Sequence, residues 1–298
     1  MKCWVCESES FKFAAEGVRD ITANDVKITD SHYGRTLPIY KCEKCGFLQC
    51  DTGKYDMQHL YNEVEDDRYA ADADYRIKQF VYLLRQISPY INSPNPRILD
   101  IGAGIGLLVK AALERGWDAV GLEPSKWLVQ HSQGLPIING VFPNSGCKPP
   151  FDVIFLIDVI EHLQNPASVT DRLREYLSPR GIVVLTTPNV SSLAAKIMGK
   201  KWWHYRIAHI GYFNKKTLSL LMSKGGLKPL KFMSAKWYFS LGYILERVTY
   251  YLPFIKPLIP KRIMKINVTI PLNLFDSFTA VFAADEANNN GNKLNNDA

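Results

Sequence analysis

The sequence has little of three features that would each define a class of protein. It contains only six cysteines in 298 residues, too few for the disulfide-dense scaffold of a small secreted domain. It has no uninterrupted apolar run that approaches the roughly 20 residues of a transmembrane helix. Residues 1–6 lead into polar sequence, without the apolar stretch and small-residue cleavage site of a secretory signal. We therefore expect a cytoplasmic protein.

Acidic residues are almost absent from one long segment. Between Val190 and Phe275 there are 15 Lys and Arg residues but a single acid, Glu246, which gives a formal charge of +14. The whole chain carries +7, so the remainder carries −7. With 47% hydrophobic and 22% charged residues the composition is that of a globular protein, and its length suggests about two domains. The concentration of positive charge predicts that this segment contacts an anion.

Four of the six cysteines form two C-x-x-C pairs near the N-terminus. Cys3 pairs with Cys6, and Cys42 pairs with Cys45, which a glycine follows. Thiolates at this spacing are typical of the two knuckles of a tetrahedral zinc site, and a closed four-cysteine site is structural. We predict a zinc-ribbon-like module over residues 1–55. Two alternatives stay open, since Cys50 could replace one ligand and the pairs could be redox-active.

Beyond a helical linker predicted over residues 56–92, short apolar runs alternate with helical stretches. This pattern predicts the α/β class, with a parallel sheet covered by helices on both faces. The predicted strands are Arg97–Ile101, Asp118–Leu122, Phe151–Ile157, Ile182–Thr187 and Phe278–Ala284. They define a domain over residues 93–284. We interpret the asparagine-rich tail, residues 285–298, as disordered.

The first predicted strand runs into a helix through a glycine-rich loop. Its D-x-G-x-G-x-G sequence contains Asp100, Gly102, Gly104 and Gly106. Glycine lets the backbone turn tightly and approach a ligand, and the helix N-terminus that follows suits a carboxylate or phosphate. A nicotinamide dinucleotide site is the alternative, but in its G-x-G-x-x-G fingerprint the third glycine comes one residue later. Both interpretations use Glu123, at the end of the second strand, to bind a ribose diol.

Four motifs in chain order resemble class I S-adenosylmethionine-dependent methyltransferases over residues 93–284. They are the glycine loop, the sequence FDVIFLIDVIEHL from Phe151, the sequence GIVVLTTPN from Gly181, and HIGYFN from His209 followed by Thr217. The last is similar to the H-x-x-Y-F-S-x-x-T-L element of ubiquinone-biosynthesis O-methyltransferases and related sugar methyltransferases, with Asn214 in place of serine. The resemblance implies a Rossmann-like sheet that binds S-adenosylmethionine.

The resemblance also implies which residues bind the cofactor. The methionine part would be bound by Asp100, Gly102, Gly104 and Gly106, and the ribose by Glu123. The adenine would lie beside Asn139, Gly140 and Val141, and the methyl-bearing end beside Ile157 and Asp158. An alternative remains for Asp100 and Gly106, which could merely shape the turn. Similar zinc-binding modules precede class I methyltransferases that act on deoxysugars.

A hydroxyl acceptor would benefit from a general base with a pKa near neutrality, and histidine supplies one. His162 follows the fourth strand, whose carboxyl end faces the ligand crevice of such folds. His204 and His209 lie in the segment after the fifth strand, which covers the acceptor in this family. We expect one of these three to be the base and prefer His209. For each, packing or a hydrogen bond to a backbone carbonyl is the alternative.

The basic segment, about residues 190–270, is predicted to form a lid over the acceptor. Its apolar residues at helical spacing are also typical of an amphipathic helix in a membrane interface; they are Trp237, Leu241, Ile244, Leu245, Val248 and Leu252. Peripheral contact with the inner face of the membrane through residues 196–265 therefore stays open. We do not expect nucleic acid as a partner, because the sequence contains no recognisable binding module.

These patterns predict a methyltransferase acting on a small-molecule or lipid-linked sugar, which is a glycoconjugate or polysaccharide precursor. O-methylation of a polyprenyl phenol, as in quinone biosynthesis, is the enzymatic alternative. The zinc module argues against it, because the resemblance to that family stops at the methyltransferase domain. A non-catalytic protein that binds the cofactor and zinc is the alternative from another class.

Overall fold

A seven-stranded, mostly parallel sheet forms the centre of the molecule. The computed structural model describes residues 1–285 except 30, 31, 72, 145, 261, 264, 265 and 267, so nearly all of the predicted tail lies outside the described residues. In order across the sheet the strands are β10 (Leu227–Ser234), β13 (Ser277–Ala284), β8 (Leu177–Pro188), β7 (Phe151–Ile157), β4 (Arg97–Ile101), β5 (Asp118–Glu123) and β6 (Ile137–Asn139).

Strand direction distinguishes this sheet from a dinucleotide-binding one. The strands from β8 to β6 are parallel, whereas β13 is inserted between β8 and β10 and runs antiparallel to both. In the dinucleotide-binding order 3-2-1-4-5-6, no antiparallel strand separates the last two positions. The predicted α/β class with a Rossmann-like sheet is therefore confirmed, and the insertion of β13 argues against the nicotinamide alternative.

The apolar runs form strands that are buried on both faces. In β7, Val153 and Phe155 point into one core, whereas Ile154 and Leu156 point into the other. Helices α3 (Ala73–Ile87) and α4 (Leu107–Leu113) cover the first face, and α6 (Pro166–Tyr176) and α8 (Lys215–Lys224) cover the second. Two-sided burial explains why these runs are continuously apolar instead of alternating.

Helix α3 belongs to the sheet domain and does not act as a free linker. Its buried residues Leu83, Leu84 and Ile87 pack in the same core as Ile98 of β4 and Leu108 of α4. Before it come two short helices, α1 (Met57–Asn62) and α2 (Asp67–Ala71). The apolar face of α3 needs a partner surface, and the sheet provides it.

The N-terminal residues form a second sheet that the C-terminal half completes. Its strands, in order, are β1 (Phe11–Ala15), β2 (Ile39–Cys42), β3 (Leu48–Cys50) and β9 (Gly211–Tyr212), all antiparallel. Phe47 beside β3 packs on Phe213 beside β9, with ring centroids 4.7 Å apart. The cysteine-bearing module is therefore joined to the larger domain by backbone pairing and by a shared core.

The segment predicted as a lid divides into two parts. Residues of α8 and β10 belong to the central domain, because β10 is an edge strand of its sheet. Helices α7 (Leu193–Met198) and α9 (Leu241–Tyr251), with strands β11 (Trp237–Ser240) and β12 (Thr269–Leu272), lie outside that sheet. Trp237 lies in β11 and not in the helix, since Ser240 caps α9 by accepting a hydrogen bond from the Tyr243 N–H.

Helix α9 contacts the N-terminal half through ionic and aromatic groups. Arg68 donates a hydrogen bond to Glu246 at 3.0 Å. The guanidinium of Arg247 lies over the rings of Tyr33 and Tyr243, 4.9 Å and 4.5 Å from their centroids. No helix in the described part of the chain has the length and apolar character needed to cross a membrane.

Candidate active site

A cavity of about 280 Å³ lies at the carboxyl ends of β4, β5 and β7. Its lining includes Gly102 after β4, Gly140 after β6 and Asp158 after β7, and Met57 and Tyr61 of α1 cover it. Its volume is near the lower end of the range for small-molecule sites. The strand order reverses between β4 and β7, and open α/β sheets bind their ligands at such a switch point.

Side chains from other segments pack closely against the glycine loop, because its glycines have no Cβ. At Gly102 φ is +75°, and an added Cβ would lie 2.5 Å from a methyl carbon of Val159. At Gly104 φ is +57°, and an added Cβ would lie 2.6 Å from the hydroxyl of Tyr69. Gly106, with φ +82°, precedes α4, and an added Cβ there would meet leucine and isoleucine side chains behind the loop. The absence of a side chain at Gly102 therefore keeps the cavity open, whereas at Gly106 it allows close packing behind the loop.

Two buried carboxyl groups support this loop from below. Glu123 accepts hydrogen bonds from the N–H groups of Gly104 at 2.9 Å and Ser125 at 2.8 Å. Burial raises the pKa of Glu123 to about 7, although these two N–H groups oppose the shift. Burial and the nearby Glu123 raise the pKa of Asp100 well above its ordinary value. Neither side chain is among the residues that line the cavity, and the two hydrogen bonds of Glu123 fix the backbone of the glycine loop behind it.

The remaining predicted cofactor residues divide between cavity and support. Gly140 and Val141 line the cavity. The side chain of Asn139 donates to the carbonyl oxygens of Glu123 and Pro124 at 3.0 Å each, so it holds the loop after β5. Ile157 packs against the core on the α3 side of the sheet. Gly102, Gly140, Val141 and Asp158 are thus the predicted residues that the structure brings together around the cavity.

Asp158 adopts an unusual backbone conformation at the end of β7. Its φ is +54°, and its N–H donates to the carbonyl oxygen of Thr186 at 2.9 Å. Desolvation raises the pKa of its carboxyl group to about 7, Arg76 and Arg206 oppose this shift, and Asp276 adds to it. A strained residue with a shifted pKa in a cavity is typical of a functional site.

His162 is the predicted histidine that lines the cavity. Its Nδ1 lies 2.7 Å from the carbonyl oxygen of Ala208. A carbonyl can only accept, so Nδ1 carries the hydrogen and Nε2 has the free lone pair. Burial, followed by the charge of Arg206, lowers the pKa of His162 to about 4. At neutral pH this imidazole is therefore uncharged and able to accept a proton.

His209, preferred from the sequence, lies behind His162. It is 6% exposed, and its Nδ1 lies 3.0 Å from the carbonyl oxygen of His204. Its ring is 4.9 Å from that of His162 and 5.8 Å from that of His204. Burial, then the neighbouring His162, Arg206 and His204, keep its pKa well below the ordinary value. This interior position matches the alternative of packing and a backbone hydrogen bond.

His204 is held by an acid that sequence reasoning did not identify. Its Nε2 lies 3.0 Å from Asp276, which also accepts a hydrogen bond from the indole N–H of Trp203 at 2.6 Å. Burial alone would raise the pKa of Asp276, but the hydrogen bonds and charge of His204, together with Trp203, hold it below the ordinary value. The sequence offered one signal for Asp276, which is the first acidic residue after Glu246 in a long basic stretch.

Tyr69 and Arg76 are two further residues that the sequence did not single out. The Tyr69 hydroxyl contacts the glycine loop at Gly104, and the guanidinium of Arg76 lies 4.5 Å from the Tyr69 ring. Tyr69 is surrounded by Asp100, Glu123 and Asp158, whose charges, after burial, raise its pKa to about 12. Both residues lie in the stretch interpreted as a linker, which offered no local signal of contact with the loop.

The four cysteines of the two pairs converge on one point. Their sulfur atoms all lie within 4.8 Å of one another, with 3.6 Å between Cys3 and Cys45 and 3.5 Å between Cys6 and Cys42. Tetrahedral zinc with bonds of about 2.3 Å needs sulfurs about 3.8 Å apart, so the donor set fits such an ion. Cys50 lies elsewhere, with its thiol 3.8 Å from the carbonyl oxygens of Leu37 and His209.

Both cysteine pairs adopt the same turn, although only one is followed by glycine. Gly46 has φ +78° and donates its N–H to Cys42, and Glu7 has φ +63° and donates its N–H to Cys3. Burial would raise the pKa of Cys42, but N–H groups of its own turn and the Cys6 thiol lower it to about 7. These groups favour the thiolate of Cys42, which a metal requires. Burial instead raises the pKa of Cys45, and it raises that of Cys3 to about 11.

The sheet order and the cavity define a class I, S-adenosylmethionine-dependent methyltransferase. Residues 69–231 match the family described as "Methyltransferase domain", which is more than half of the chain. The chain belongs to this methyltransferase family. The match begins at Tyr69, in agreement with the contact between this residue and the glycine loop.

Curated relatives include several methyltransferases of low identity. A ubiquinone biosynthesis O-methyltransferase of Cereibacter sphaeroides is 28% identical over 197 residues, which are 58% of this chain and 78% of the relative. One of Dinoroseobacter shibae is 26% identical over 208 residues, 60% of this chain and 76% of the relative. A chain in the complex between the Haloferax volcanii Trm112 methyltransferase activator and the putative methyltransferase aligns with a TM-score of 0.50 at 12% identity, covering 73% of this chain and 95% of that one. This last likeness concerns the fold alone.

Replacing Gly102 with alanine should weaken S-adenosylmethionine binding at least about tenfold, because a Cβ at this site would collide with Val159 of the cavity lining. Gly116→Ala is the matched control, since Gly116 has φ +78° but no neighbour within 4 Å of an added Cβ. Isothermal titration calorimetry measures both. Equal affinities for the two variants would show that the loop does not hold the cofactor.

Proposed function

We propose that this methyltransferase methylates a sugar or glycoconjugate precursor, and that His162 accepts the proton of the acceptor hydroxyl. The observation that carries the assignment of the base is the position of His162 in the wall of the cavity, together with Asp158. S-adenosylmethionine, when bound, supplies a methyl group on a positively charged sulfur. The protein must align the acceptor with that methyl group and exclude water.

The acids around the cavity suit a cationic cofactor. Burial raises the pKa values of Asp100, Glu123 and Asp158, because their ionised forms are poorly solvated there. A cation held nearby favours their ionised forms. The residues present therefore fit a cofactor that carries a sulfonium and an ammonium group, and Gly102, Gly140 and Val141 of the cavity lining would contact it.

His162 is prepared for one proton transfer. The carbonyl of Ala208 fixes its tautomer, which leaves Nε2 as the acceptor. During methyl transfer, Nε2 of His162 would take the proton that the acceptor hydroxyl loses. A bound cofactor would lose the positive charge of its sulfonium in the same step, so the buried site would keep its net charge. This balance reduces the cost of forming an imidazolium in a desolvated place.

The cysteine module favours a sugar acceptor over a phenol. Modules of this kind precede methyltransferases that act on deoxysugars, and here β9 of the catalytic half completes the module sheet. A polyprenyl phenol is the second candidate, and the names of the ubiquinone-pathway relatives favour it. These relatives account for about 60% of this chain, so their substrate does not transfer automatically.

We also propose that Cys3, Cys6, Cys42 and Cys45 hold a structural zinc ion. Four sulfur donors leave no open position for a substrate. The ion would connect the two turns at the end of the module that packs on Phe213 and α8. Its role is then to hold the module against the catalytic domain.

Acceptor class can be tested with purified protein, methyl-labelled cofactor and cell extract separated into nucleotide-sugar, lipid and RNA pools. We expect label in sugar-containing material, because sugar methylation is the proposed reaction. Label confined to a lipid phenol would assign the second candidate, and label in RNA or in no pool would contradict both.

His162→Gln should lower kcat at least about 100-fold, the usual contribution of general-base catalysis, and leave cofactor affinity within about threefold. Because the pKa of His162 is lowered to about 4, its neutral, accepting form predominates above that value. The titration of His162 should therefore leave the kcat of the wild type constant between pH 8 and about pH 6, and kcat should fall as the pH approaches 4.

The control for this variant is His59→Gln, at an exposed histidine of α1, which should retain wild-type kcat. His209→Gln should affect stability more than turnover, since His209 is interior. Normal kcat in His162→Gln with a large loss in His209→Gln would reverse the assignment of the base.

Purified protein should contain one zinc ion per chain by mass spectrometry of metals, and Cys42→Ser should lose it. Loss of the ion should lower the melting temperature by about 10 °C, because structural zinc contributes folding free energy. Cys147→Ser is the control, since Cys147 is buried outside the cluster. A metal-free wild type, or full zinc content in Cys42→Ser, would refute the site.

A further inference from the structure

The most exposed large apolar side chains among the described residues all lie between Val190 and Phe275, the stretch whose formal charge is +14. They are Leu193 at 72%, Ile197 at 75%, Phe254 at 71%, Leu258 at 76% and Phe275 at 71% exposure. Elsewhere in the described chain the largest value is 54%, at Met1. Single exposed apolar residues are ordinary in proteins, but a concentration of them marks an interaction site. We call these five the apolar tips.

Hydrogen bonds connect the three places that carry the apolar tips. The N–H of Asn189 donates to the carbonyl oxygen of Asp276 at 2.7 Å, which places Phe275 close to the start of α7. The hydroxyl of Tyr251 donates to the carbonyl oxygen of Lys201 at 3.0 Å, which connects the end of α7 with the turn that follows α9. Leu193 and Ile197 are four residues apart on α7 and thus share one face. The tips belong to one region of the surface.

Positive charge accompanies the apolar tips. The exposed basic residues next to them in the chain are Lys196, Lys200, Lys201, Lys256 and Arg262. None of these five forms an ion pair within the part of the chain that the structure describes. Glu246, the single acid of the segment, is already bonded to Arg68. The region therefore offers unbalanced positive charge around apolar side chains.

We propose that this region docks on an anionic lipid bilayer. Protruding Leu, Ile and Phe side chains enter the boundary between headgroups and acyl chains, and flanking lysines attract anionic headgroups. A second copy of the chain fits less well, because two like-charged segments repel each other. Single-stranded nucleic acid needs aromatic stacking platforms, whereas most of the tips are aliphatic.

Docking would also orient the molecule on the bilayer. Phe275 directly precedes Asp276, which accepts a hydrogen bond from Trp203 and lies 3.0 Å from Nε2 of His204, so this group of side chains would lie near the membrane surface. The docking surface itself is independent of the proposed acceptor, because it is built from residues outside the cavity lining.

The test is co-sedimentation of the full chain with phosphatidylcholine vesicles that contain or lack phosphatidylglycerol, at low and high salt. The variant is Phe254→Ser with Leu258→Ser, and the matched control is Phe13→Ser with Leu113→Ser. Phe13 and Leu113 are exposed apolar residues of β1 and α4, outside the basic segment. Cofactor affinity, measured without vesicles, verifies folding of each variant and separates failure of docking from failure of catalysis.

We expect the wild type and the control to bind the anionic vesicles at low salt and to release them at high salt, because attraction between exposed charges is screened. The Phe254/Leu258 variant should bind at least about tenfold more weakly, since two apolar insertions are lost. No binding to anionic vesicles, equal binding to neutral ones, or unchanged binding of the variant would overturn the proposal. A dimer that the variant abolishes, without vesicle binding, would assign the region to a second copy.

Discussion

The hydrogen bonds of the buried Glu123 carboxylate organise the cofactor side of the molecule. This carboxylate accepts hydrogen bonds from the N–H groups of Gly104, in the glycine loop, and of Ser125. The Ser125 hydroxyl in turn donates a hydrogen bond to the carbonyl oxygen of Val64, just after α1, the helix that covers the cavity. A charge in this place is costly, which is why burial raises its pKa to about 7. The same network therefore joins the loop after β4, the loop after β5 and the residues that follow α1.

Three neighbouring histidines have different surroundings and therefore different chemistry. His162 lines the cavity as a neutral imidazole with Nε2 available, because Ala208 binds Nδ1. His209 lies behind it among other rings. His204 is fixed by Asp276, an acid held ionised by its hydrogen bonds. Histidines that are equivalent in a sequence motif thus differ in function once burial and partners are assigned.

Distant parts of the chain complete one another's surfaces. Strand β9 adds to the N-terminal sheet, α3 covers the central sheet, and α9 contacts the N-terminal half through Arg68 and Arg247. The domain boundaries predicted from the sequence, at residues 55 and 92, therefore separate segments that share sheets and cores in the structure. The connections also leave the five apolar tips and the lysines beside them without a covering element in the described chain, and the proposed membrane docking rests on this exposure.

Local sequence determined the features that depend on residues close together in the chain, such as apolar runs and the spacing of cysteines. The bounds of β4 and β7 and the convergence of the two C-x-x-C pairs agree with prediction, because apolar runs and knuckle spacing act over a few residues. Tertiary structure alone decided that Tyr69 contacts the glycine loop, that Asp276 holds His204 and that His162 replaces His209 at the cavity. These outcomes depend on burial and on contacts between segments far apart in the chain, which no local pattern encodes.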